Sequence, residues 1–119
     1  MPDVQSSDLD AMSAAGSTDR VFVLQRQGPV FVVRPGVLVA DGNQVRFRNF
    51  TDFPLTIEAD FLNLRSFSLT PKGSAGDRRT VNLAQPPIAG FHEYRVTVNG
   101  PSGPVEATGD SRPGAIIDR

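Results

Sequence analysis

Period-two alternation of apolar and polar residues, repeated in short segments, predicts an all-β sandwich. Two further observations agree. Turn residues punctuate those segments at intervals of roughly ten residues, and 11 Gly with 10 Pro favour short strands and turns over long helices. A chain of 119 residues holds one modest core. Its 39% apolar residues, with eight Phe, one Tyr and no Trp, fill one two-layer sandwich rather than two separate cores.

Residues 1–19 are rich in Ser, Asp, Ala and Gly and have little to bury, so they read as a flexible acidic tail. Ser7 could cap a short turn through Leu9, Met12 and Ala15, but a helix of about ten residues is marginal alone. The folded domain is expected over 20–119. Residues 21–26 and 30–34 are β-branched and aromatic, broken at Gly28-Pro29. Pro35-Gly36 makes a second break before 37–40 resumes the extended pattern, and Asp41-Gly42 is a strong turn signal. Val45 and Phe47 then share one strand face, with Arg46 and Arg48 on the other. Leu55, Ile57 and Ala59 alternate with Thr56, Glu58 and Asp60; Phe67 and Leu69 alternate with Ser66 and Ser68; Val81 and Leu83 alternate with Thr80 and Asn82. His92, Tyr94, Val96 and Val98 share a face against Phe91, Glu93, Arg95 and Thr97.

The C-terminal third carries a more specific layout. Gly90-Phe91-His92-Glu93-Tyr94-Arg95-Val96-Thr97-Val98-Asn99 precedes a Gly/Pro loop and then Arg112-Pro113-Gly114-Ala115-Ile116-Ile117. Earlier, a strand ending at Asn49 leads through a loop to Pro54-Leu55-Thr56-Ile57, and a turn from Phe67 to Gly73 precedes Thr80-Val81. Over roughly 30–117 this order resembles a cupredoxin, the small β-sandwich that holds a blue copper ion. The resemblance implies a Greek-key sandwich of about seven or eight strands; another immunoglobulin-like sandwich is the alternative. In copper-binding members the ligand positions correspond to Pro54 or Leu55, Val96, Asn99 and Arg112, and none of these is His, Cys or Met. A blue copper site needs a thiolate with two imidazoles. With one His and no Cys, the chain is not an electron-transfer copper protein, and no cofactor is expected.

Composition narrows the function classes further. The formal charge of −1 gives no global field toward nucleic acid or an anionic membrane. The N-terminus lacks a basic and apolar leader, and no run approaches the roughly 20 apolar residues that cross a bilayer. A cytoplasmic location is expected unless a leader has been removed. Eleven of the twelve cations are Arg, the better bidentate partner for carboxylate or phosphate, although genomic base composition alone produces the same bias.

Candidate residues follow. His92 lies on an apolar face and reads as structural, pointing away from Glu93. Glu58 and Asp60 read as a solvated face, and Gly109-Asp110-Ser111-Arg112 as a turn. Asn49-Phe50-Thr51 matches a glycosylation sequon. No nucleophile constellation stands out, so the protein is not read as an enzyme. The favoured reading is a metal-free binding or assembly module that recognises a protein partner through a loop pole gathering Phe50, Phe53, Pro54 and Arg112. The alternative is a small-ligand or anion-binding protein using Arg46, Arg48 and Arg95 as a cationic stripe. Open edge strands leave room for a homodimer.

Overall fold

A computed structural model describes residues 18–28, 30–40, 42–108 and 112–117, and these are all-β. The strands are β1 (Thr18–Gln25), β2 (Phe31–Arg34), β3 (Val37–Ala40), β4 (Gln44–Asn49), β5 (Leu55–Glu58), β6 (Ser66–Leu69), β7 (Arg78–Asn82), β8 (Gly90–Glu93), β9 (Arg95–Gly100), β10 (Gly103–Glu106) and β11 (Gly114–Ile117). The expected tail over 1–19 lies outside the described residues except for Thr18 and Asp19, which open β1. No helix of the described residues is long and apolar enough to cross a membrane.

The strands form three hydrogen-bonded sheets, ordered β2-β1-β4-β7, β10-β9-β5-β6 and β3-β11-β8. Neighbours are antiparallel except for β1 with β4 and β3 with β11. The count of eleven exceeds the seven or eight expected, for two physical reasons. First, the continuous run 90–99 breaks at Tyr94, whose N–H donates to Pro113 O at 2.9 Å instead of joining the ladder. The chain thereby passes from the β3-β11-β8 sheet into the β10-β9-β5-β6 sheet. Second, the Gly/Pro stretch read as one turn is a hairpin: Gly103 pairs with Gly100 around Pro101-Ser102, with Gly103 at φ 112°. Pro104 is tolerated there because β10 is an edge strand. β3 and β4, which flank the Asp41-Gly42 turn signal, likewise belong to two different sheets and do not form a hairpin pair.

One core unites the sheets. Val21, Val23, Val45 and Phe47 from the first meet Leu55, Ile57, Leu69, Val96 and Val98 from the second and Leu38, Ala115 and Ile117 from the third. Phe47 packs edge-on against Phe67 and Tyr94, at centroid distances of 5.3 and 6.3 Å. The alternation read from β4, β5, β6 and β9 is the alternation of burial. Phe61 and Leu62, each 1% exposed, enter the same core from a segment with no period-two signal.

Candidate functional site

Sheet register places the arginines. Val21, Val23, Val45, Phe47 and Val81 point into the core, so the residues between them on β1, β4 and β7 point outward. Arg46 stands opposite Arg20, Arg48 opposite Phe22 on one side and Arg78 on the other, and Phe22 opposite Arg34. Arg20, Arg34, Arg46, Arg48 and Arg78 therefore share one outward face. Among its described positions this face carries no Asp or Glu. Spacing along single strands exposes only Arg46 and Arg48; Arg20, Arg34 and Arg78 join them through cross-strand pairing, which a sequence does not print.

An aromatic anchor sits beside these charges. Phe50, half-buried just beyond β4, packs against Phe22 at 5.6 Å between centroids, and the Arg48 guanidinium carbon lies 4.5 Å from the Phe50 ring centre. Arg48 Nε is buried with no hydrogen-bond partner. At the edge, Asp77 is 5% exposed and pairs with Arg78 Nε at 3.1 Å. Burial pushes its carboxyl up, but donation from Gly73 N–H and Arg78, with the charges of Arg78 and Arg48, outweighs this and holds it below its ordinary value.

The loop after β4 is fastened by a buried polar residue. Asn49 is fully buried; its Nδ2 donates to Phe53 O at 2.7 Å and to Thr70 O at 2.9 Å, and its Oδ1 accepts from Thr51 N–H at 2.8 Å. The Thr51 hydroxyl lies 2.7 Å from Asn49 Oδ1 and accepts from Phe53 N–H at 3.2 Å. In this fold the Asn-x-Thr pattern is thus a turn device whose amide nitrogen is buried with both its hydrogen bonds made.

The four loop-pole residues separate. Phe53 packs against the core, edge-on to Phe31 at 6.0 Å, while Phe50 belongs to the arginine face. Pro54 is exposed, and its carbonyl accepts from Asn99 N–H at 2.9 Å at one end of β5. Arg112 instead pairs with Glu106 at 2.9 and 3.3 Å and lines a shallow depression with Glu58, at the other end of β5, and Arg95. That pairing holds the Glu106 carboxyl below its ordinary value. The cationic stripe is also divided, because β9, which carries Arg95, pairs with β5 and β10 and not with β4. Arg95 lies 3.9 Å from Glu58 instead.

The remaining candidates have structural surroundings. His92 Nε2 donates to Ile88 O at 2.8 Å, its Nδ1 lies 3.2 Å from Asp60 Oδ1, and its ring stacks near Phe61. Both nitrogens are occupied. Val96, at the thiolate position of the resemblance, is fully buried in the core, whereas Asn99 is exposed and bonds Thr56. No group of three or more metal-ligating side chains occurs among the described residues. Gly109-Asp110-Ser111 lies outside them. Tyr94 Oη is buried without a hydrogen-bond partner, and desolvation raises its pKa above the ordinary phenol value. No family model matches this sequence, and no curated protein matches it.

Proposed function

We propose that the protein is a metal-free, cupredoxin-like binding module, without catalytic activity, that recognises an acidic protein partner through the outward face of β2-β1-β4-β7. The observation that carries this reading is the gathering of five arginines around the Phe22–Phe50 pair, with no Asp or Glu among the described outward positions of these strands and Asp77 pairing with Arg78 at the edge. Arg and aromatic side chains dominate interface hot spots, because each combines a large contact area with directed polar or π contacts. A net charge of −1 for the whole chain means that this concentration is local, a field suited to orienting one complementary surface. Two features support the cupredoxin-like part. The first part of the 90–99 segment, β8, pairs with β11, while β9, which carries Val96 and Asn99, pairs in the neighbouring sheet. The strand-ending Asn of the resemblance ties its loop to the turn at Thr70.

The test is fluorescence anisotropy with a labelled peptide rich in Asp and Glu. Binding is expected at low salt, weakening steeply as salt screens the pairing. The double variant Arg46→Glu/Arg48→Glu is expected to bind at least about tenfold more weakly, a loss of about 1.4 kcal/mol. Phe50→Ser weakens binding while leaving the melt nearly unchanged. Equal binding by the charge-reversed protein, or equal binding of a neutral peptide, would reject the proposal.

A further inference from the structure

The β3-β11-β8 sheet is apolar on both sides. Register sets Val39, Ile116 and Phe91 in one row across its outer face, and Val37, Gly114 and Glu93 in the next. Val37 is 51% exposed, Val39 52%, Phe91 58% and Ile116 37%. The alternate residues Leu38, Ala40, Ala115 and Ile117 are buried in the core. A sheet with one wet face alternates apolar with polar, whereas strands apolar on both sides are those covered on both sides. β4 obeys the first pattern and β3 with β11 the second.

This outer face is also level. The Phe91 ring lies across Gly114 so closely that a Cβ on that glycine would stand 2.5 Å from ring Cε1 and Cζ. Glycine at 114 lets the ring lie down on the sheet. Four side chains then present on the order of 400 Å² of contiguous apolar surface, the size of the largest patch on a typical monomer and one that is often functional.

We infer that this face is a homodimer interface, its occupant the same face of a second copy packed on it around a two-fold axis. Charge and area select that occupant. Glu93 is the single ionisable residue among the outward positions of the three strands, so the face offers nothing to steer a charged partner. An identical apolar face is its chemical complement, and self-complementary patches are what two-fold dimers use. Two patches with their margins bury about 1,000 Å², the area of a weak, concentration-dependent dimer. The dimer leaves the arginine face, on another sheet, free in both copies. It does not depend on the function proposed for that face.

Sedimentation velocity on the full chain, from about 5 to about 500 µM, reads the interface directly, since weak complexes associate in that span. The expected result is a shift from the 12.8 kDa monomer toward twice that mass. The dimer should survive high salt, because apolar burial is not screened. Phe91→Asp and Val39→Asp, both at exposed positions, are expected to weaken dimerisation at least tenfold with unchanged melts and unchanged binding of the acidic peptide. Gly114→Ala lifts the ring without adding charge and weakens the dimer as well. In this cysteine-free chain, Val39→Cys gives a single thiol that should form an intermolecular disulfide on oxidation, trapping the pair. A monomer throughout the concentration range would overturn the inference, as would charged variants that associate as tightly as the parent.

Discussion

Two outward sheet faces of this molecule are built on opposite plans. The β2-β1-β4-β7 face gathers five arginines and a pair of Phe rings, while the β3-β11-β8 face presents Val37, Val39, Phe91 and Ile116. Both rest on the same core, so fold stability does not require the contrast. In β4 the outward positions are the half-buried polar residues Gln44, Arg46 and Arg48, whose long side chains carry charge or amide groups toward water. In β3 they are two valines, which water solvates poorly and which raise β propensity without serving the core. Salt therefore separates the two surfaces: contacts on the first fade with ionic strength and contacts on the second persist.

The comparison can be broken at its foundation by loosening the end of β4. Asn49→Ala removes the bonds that hold Phe53, Thr70 and Thr51 in place and leaves the buried Thr51 N–H without its acceptor. We expect a loss of about 3 kcal/mol in urea unfolding, with Phe50 displaced and the acidic peptide bound more weakly. Dimer contacts at β3-β11-β8 should change far less in the fraction that remains folded.

Asp77 sharpens the electrostatic half. Its folded pKa lies below the unfolded value, so its contribution is present at neutral pH. It begins to be lost as pH falls below about 4, the ordinary carboxylate value, and is gone below the lowered folded value. Asp77→Asn should reduce stability by about 1–2 kcal/mol at pH 7, strip Arg78 of its ion-pair partner and flatten the acid limb of the melting curve. An unaltered acid limb would show that another carboxylate carries it.

Tyr94→Phe gives a smaller effect of opposite sign. The hydroxyl is buried without a partner, so its removal should leave stability unchanged or raise it by up to about 1 kcal/mol, with neither face affected. Smallest of all are the stability changes from Arg48→Ala and Phe91→Ser, expected within about 0.5 kcal/mol because both side chains project outward. Each should nevertheless disable only its own surface.

Much of the fold was legible because period two is printed residue by residue. Val45 and Phe47 point inward with Arg46 and Arg48 outward, and Leu55, Ile57, Phe67, Leu69, Val96 and Val98 all reach the core. Three things were not legible. Tyr94 keeps the alternation while changing sheets, since a strand that bends between layers preserves its inside and outside. Phe61 and Leu62 are adjacent and both buried, an arrangement of irregular backbone that alternation cannot signal. Arg20, Arg34 and Arg78 join Arg46 and Arg48 only through register, a long-range property set by which strands pair. The apolar face did leave a trace. Residues 37–40 and 114–117 are unbroken apolar runs, without the polar alternation that a strand with one wet face shows.

The most direct measurement is a two-dimensional NMR titration of the labelled full chain with the acidic peptide at low salt. The account predicts shifts concentrated at Arg20, Phe22, Arg34, Arg46, Arg48, Phe50 and Arg78, with the amides of β3, β8 and β11 unmoved. Shifts centred on Val39, Phe91 and Ile116, or none anywhere, would contradict it.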